Sequence, residues 1–216
     1  MGAKTWMVMY TDGVASETLK SKPRLDRDAT TALARKLFPL DKLEPLSDDT
    51  LLNTCPPDNV LAIASFPGLS IVAAREFGID RPSTLPISLV QSGTGRSTCL
   101  HAMHSVVDWF AYAIWKDGVL HRSLSLSPDS GVLEDIGPRL PFEEPYWAGE
   151  HPAVDPDEEE SDYPFPFHPL ELGEAALLEL FGYQLEGTTS HFEPEDIPLM
   201  RFRRSRSWWK GWFGVG

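Results

Sequence analysis

The sequence predicts an α+β domain: a mostly antiparallel sheet of about six strands, with two or three helices packed on one face. Three observations carry this. Short apolar runs rich in β-branched and aromatic residues recur between turn signals at 5–10, 59–66, 69–75, 106–115, 119–126 and 132–136. Two segments, 26–38 and 169–181, carry helical periodicity with terminal signals. The 216 residues suit one large domain at about 100–200 residues each.

The elements follow in order. TWMVMY at 5–10 reads as a buried strand, closed by the turn Asp12-Gly13. In 26–38 (DRDATTALARKLF), Asp26 suits the N-cap, Asp28 the first turn, and Arg35 and Lys36 the last turn. Ala29, Leu33 and Leu37 form the apolar stripe of this helix, and Pro39 stops it. The runs 59–66 and 69–75 meet at Pro67-Gly68, a hairpin signal. Residues 83–91 fit a short helix, and SGTGR at 92–96 a loop. From 106 to 136 a β-meander turns at Lys116-Asp117-Gly118 and again at Ser127–Gly131.

Prolines from Pro138 to Pro169 and the acidic run 155–162 mark 137–168 as a long irregular connection over the domain. Pro169 opens the last helix, in which Ala176, Leu177, Leu180 and Phe181 bury, and Gly182 ends it. The expected organisation is a single domain over 1–185, an edge segment at 186–200 and a basic aromatic tail at 201–216.

Charge bounds the function. Lys plus Arg number 19 and Asp plus Glu 32, for a net −13. Residues 201–216 hold five cations and no acid, which leaves 14 basic against 32 acidic residues, or −18, elsewhere. Such a body repels double-stranded nucleic acid and anionic lipid over most of its surface and attracts its own tail. Cys55 and Cys99 lack metal-ligand spacing, and their pairing is left open. MGAKTWMVMYTDG has neither the apolar stretch nor the cleavage site of a signal peptide, and Trp6 stands where myristoylation calls for Ser or Thr. No apolar run approaches membrane-spanning length. The expected location is the cytoplasm.

Several long strings point further: MGAKTW, YTDG, LDRDAT, LHAMHSVVDWFAYAIWKDGVLHRSLSLSPDSGVLEDIG, PFEEPYWAGEHP and YPFPFHPLELGEAAL. Together they resemble a bacterial family catalogued as domain of unknown function 6928, over roughly residues 1–185. The resemblance implies a cytoplasmic bacterial protein with one α+β domain. It brings no activity, cofactor or catalytic residue, and no cofactor is expected.

Candidate sites each stand beside a plainer reading. His101, His104 and Asp108 share one face if their segment is helical, an arrangement that could hold a metal. If it is a strand, the two histidines face opposite ways and cannot. Glu134 and Asp135 are adjacent, so only one can line a given pocket. Glu143 and Glu144 precede Tyr146 and Trp147; this suits a sugar site, or more plainly aromatic anchors for the Pro-rich loop. Cys99 and His101, at i and i+2 of a strand, stand too far apart for direct proton transfer. SGTGR with Arg96 could hold an anion, but it lacks the P-loop pattern.

The tail places Arg203, Arg204, Trp208, Trp209 and Trp212 as partner-binding residues. It could instead fold back on the acidic body, contact a membrane peripherally, or bind RNA or DNA by stacking and phosphate contacts, a reading the −18 body argues against. The favoured function is a cytoplasmic protein-interaction module that docks a protein partner through this tail. The alternative is a small hydrolase or metal-assisted enzyme. Its catalytic residues would be His104, Asp108 and Glu134, its metal candidates His101 and His104, and its pocket would also include Trp147 and His151.

Overall fold

A computed structural model describes residues 2–92, 97–154 and 163–206. The strands are β1 (Lys4–Thr11), β2 (Asp41–Pro45), β3 (Asp49–Thr50), β4 (Val60–Phe66), β5 (Leu69–Ala73), β6 (Ser97–His104), β7 (Trp109–Lys116), β8 (Val119–Ser127), β9 (Gly131–Ile136) and β10 (Pro198–Arg206). The helices are α1 (Ala15–Lys20), α2 (Arg27–Leu37), α3 (Ile87–Val90), α4 (Glu144–Trp147) and α5 (Pro169–Phe181). The strands form one sheet in the order β2-β10-β4-β5-β1-β6-β7-β8-β9, with β3 on β10, and every pairing is antiparallel. The fold is α+β as expected, but its sheet has about ten strands rather than six.

The helices occupy both faces, which corrects the one-sided arrangement. On β1, Trp6, Val8 and Tyr10 pack with Leu33, Ala34 and Leu37 of α2. Met7 and Met9 point the other way, toward Leu172, Ala176, Leu177 and Phe181 of α5. The cause lies in the central strands. Every residue of β4 and β5 is buried, as is nearly every residue of β1 and β7, so an uncovered face would leave apolar side chains in water.

Local chemistry sets the ends of the elements. The Asp26 carboxylate accepts from the Ala29 N–H at 2.9 Å, and α5 ends on Gly182 at φ +86°. Asp117 and Gly118 both have positive φ, as the tight turn between β7 and β8 requires. The stretch expected as a helix at 83–91 is a 3₁₀ turn over Pro82–Thr84 followed by the short α3.

The described parts of the Pro-rich connection pack on the α5 face. Phe165 and Phe167 join the core there, and Phe142, Tyr146 and Trp147 pack against it, so these aromatics anchor the loop. A buried ion pair pins its start. Arg122 donates from Nε and Nη2 to Glu143 at 2.9 and 2.6 Å, and both side chains are fully buried. Nη1 of Arg122 reaches Asp135 and the Ile136 and Gly137 carbonyls, while Tyr112 and the Leu140 N–H donate to Glu143. Every polar group of this closed network has partners, as a buried charge demands.

β10 runs through the boundary expected at residue 200. Its register pairs Met200–Arg203 with β4 and Phe202–Arg206 with β2. Met200 and Phe202 are buried toward α2. Cys55 and Cys99 are both free thiols. Among the described residues, no helix is long and apolar enough to cross a membrane.

Candidate functional site

The alternation of β6 separates the two candidate metal ligands. Cys99, His101 and Met103 point toward α5, and Leu100, Ala102 and His104 toward α2. His101 and His104 therefore cannot share a metal. Among the described residues, no three His, Cys, Asp or Glu side chains converge as metal ligands would.

His101 is fully buried between Phe110 and Phe181. Its Nε2–H donates to the Gly173 carbonyl oxygen at 3.0 Å, so Nδ1 accepts from the Thr5 hydroxyl at 2.7 Å. Burial pushes its pKa down to about 4, against a smaller opposing effect of the Gly173 bond. At neutral pH this ring is an uncharged tie within the core.

The other candidates scatter. Asp108, at φ +44° in the β6–β7 turn, faces Nε2 of His168 at 3.6 Å; His168 caps α5, so Asp108 lies on the side opposite His104. Glu134 is held by Ser83, whose N–H and hydroxyl donate at 2.9 and 2.5 Å, and by the Ser123 hydroxyl. Trp147 lies in the Pro-rich connection under the Arg139 guanidinium, 4.2 Å from the ring centroid. His151 stacks on Tyr146. The pocket proposed around His101, His104, Asp108, Glu134, Trp147 and His151 does not assemble, because its members divide between the two faces. The acid–base trio His104, Asp108 and Glu134 is dispersed in the same way.

His104 lines a cleft at the end of β6. The cleft, of about 440 Å³, is lined by Trp6, Arg75, Asp80, His104, Trp109 and Asp129 among others. The end of β6 presents His104, whose Nδ1 accepts the Val106 N–H at 3.3 Å, leaving Nε2–H as the free donor of the neutral ring. Burial lowers the His104 pKa, and the charges of Lys4 and Arg75 add to the effect. The ring lies 5.5 Å from Trp6, which in turn lies 5.9 Å from Trp109.

Trp109 is oriented by its Nε1–H, which donates to the Ser125 hydroxyl at 3.2 Å. The Arg75 guanidinium covers one face of Trp6, 4.5 Å from the centroid. Gly78 lies so close to the same indole that a Cβ would come within 2.6 Å of Cε3; only glycine permits this approach. Among the described residues, no hydrogen bond or ion pair engages the carboxylates of Asp80 and Asp129.

Sequence reasoning singled out His104 but passed over Trp6, Arg75, Asp80, Trp109 and Asp129. They meet through sheet pairing and turn placement, and no local spacing signals them.

The tail candidates have different surroundings. Arg203 is exposed. Arg204 turns onto the body: it donates to both Glu76 carboxylate oxygens at 2.5 and 2.6 Å and to the Asp58 carbonyl at 3.0 Å. Trp208, Trp209 and Trp212 lie outside the described residues, as do Arg96 and the acidic run 155–162.

No curated protein and no solved structure gives a significant match. A family model does match, over residues 5–202, reaching past the segment of resemblance and into β10. This chain therefore belongs to the Family of unknown function (DUF6928).

Proposed function

We propose that the protein is a binding module whose recognition site is the cleft between Trp6, His104 and Trp109. One observation carries this reading. An aromatic floor adjoins a free Nε2–H donor and two carboxylates that no described residue engages. Ligand sites combine an apolar lining with a few unsatisfied polar groups in this way. The dispersal of His104, Asp108 and Glu134 favours binding over acid–base turnover. The interaction class expected from the sequence is kept, and the recognition element proposed is the cleft; of the tail candidates, Arg204 is engaged within the fold and the tryptophans lie outside the described residues.

The test is a titration of the ¹⁵N-labelled full chain with neutral, anionic and cationic aromatic probes: indole, benzoate and benzylammonium. The indole N–H resonances of Trp6 and Trp109 are followed. Saturable shifts of both with at least one probe are expected. If no probe of any charge moves them, the cleft is not a recognition site.

A further inference from the structure

Resting on that cleft reading, we propose that the ligand is an organic cation, an ammonium or guanidinium group, which takes the indole face of Trp6 that Arg75 now covers.

Charge sets the sign. Of the ionisable groups lining the cleft, Asp80 and Asp129 are acidic, Arg75 is basic, and His104 is a neutral ring held by the Val106 N–H. Lys4 lies opposite His104 in the β1–β6 register and its charge reaches that ring, but its side chain lines a separate hollow with Cys55 and Glu186, away from the Trp6 face. An anion entering the cleft would meet two unengaged carboxylates. A cation would find them as counter-ions, within a chain whose net charge of −13 draws cations to it.

Arg75 shows what the floor accepts. A guanidinium already sits on Trp6 at cation–π distance. Its hold is slight: the nearest carboxylate is Asp58 at 3.7 Å, with the two side chains 50% and 87% exposed. A pair this open and long contributes little. Arg204 makes the contrast, clamped by both oxygens of Glu76. Arg75 is thus an internal occupant that can swing into water. Trp6 itself is only 4% exposed, with Arg75, Gly78, His104 and Trp109 all packed against it. An incoming cation would replace the guanidinium on the ring while Asp80 and Asp129 offset its charge.

The test uses the full chain at fixed ionic strength, so that screening is constant. Tetramethylammonium and methylguanidinium are titrated against sodium benzoate, with the Trp6 and Trp109 indole resonances as readout. The Trp109 resonance, set by its bond to Ser125, also reports that each variant is folded. Removing the competing guanidinium in Arg75→Ala is expected to tighten cation binding about twofold to fivefold, the range an exposed cation–π contact spans. Arg75→Lys, which keeps a cation there, should tighten it far less. Asp80→Asn with Asp129→Asn should weaken it by a similar factor.

Cation binding that Arg75→Ala leaves unchanged overturns the proposal. So does preference for benzoate, although the cleft reading would then survive. Silence toward every probe would overturn both. Acetyl-trimethyllysine amide against choline separates the sources. Tighter binding of the first supports a cationic protein side chain, and tighter binding of the second a free small molecule.

Discussion

The Nε2–H of His101 on β6 donates to the carbonyl oxygen of Gly173 on α5 across 3.0 Å, tying the middle of the sheet to the helix above it. Glycine eases the approach. A Cβ at position 173 would stand 3.1 Å from both Met103 Sδ and Phe110 Cδ2, tighter than ordinary contact. The same closeness removes water from the imidazole and makes its charged form costly.

Stability should therefore depend on acid through this ring. The folded pKa is about 4, against an ordinary value of 6.5. As pH falls, the unfolded chain takes up the proton first. The contribution is full above about pH 6.5 and is lost as pH falls toward 4, by about 3 kcal/mol in all. Urea midpoints of the parent and His101→Gln, measured between pH 7 and pH 4.5, test this. The parent should lose more stability over that window than the variant. Equal slopes would show that His101 is not the titrating group.

The Arg122–Glu143 pair predicts a large and coupled mutational effect. Glu143→Leu leaves a fully buried guanidinium with Asp135 and two carbonyls only, and should cost about 3–5 kcal/mol. Adding Arg122→Met removes the stranded charge, so the double variant should recover much of that loss. Denaturation midpoints of both singles and the double measure the coupling. Strictly additive losses would mean that the two side chains do not depend on each other.

Gly137 follows β9 at φ +83°, where a Cβ would fall 2.1 Å from the His121 carbonyl oxygen. Backbone cannot yield as a flexible side chain does. Gly137→Ala should thus cost about 2 kcal/mol or more, through both the strained φ and the clash. Gly131, also at positive φ but with nothing within 4 Å of its Cβ position, serves as control. Equal losses at the two sites would assign the whole effect to φ.

The legible parts of the fold are those fixed by neighbours in sequence. Asp26 caps α2 and Gly182 ends α5, and β4 and β5 meet at Pro67-Gly68; the expected α2 stripe is right at Leu33 and Leu37, but Ala29 is exposed and Thr30 and Ala34 are buried instead. β2 escapes such reading because it is an edge strand of mostly polar residues, DKLEP, with no apolar run to mark it. β10 escapes because its arginines read as a charged tail. Its alternation, with Met200 and Phe202 inward and Arg203 outward, is nonetheless a strand pattern. The split between His101 and His104 follows from the same period of two. The cleft has no such signature. Trp6, Arg75, His104 and Asp129 come from four parts of the chain and meet only once the sheet is closed.

Arg204 tests how much of the basic tail belongs to the fold. Its guanidinium bridges β10 to Glu76 through two short bonds, to the Asp58 carbonyl, and at 3.7 Å to Asp41. It also lies over the Phe38 ring, 5.5 Å from the centroid. Its side chain is 12% exposed and that of Glu76 34%, so water screens the pair only in part. Arg204→Ala should therefore cost about 1.5–3 kcal/mol, the range for hydrogen bonds to charged groups. Arg203→Ala, at an exposed neighbour on the other side of the strand, should change stability by about 0.5 kcal/mol or less. Thermal or urea unfolding of the two variants decides the matter. A stability loss confined to Arg204 means that this arginine holds β10 in the sheet. If both variants keep the parent's stability, Arg204 is free to serve a partner, as the sequence alone suggested.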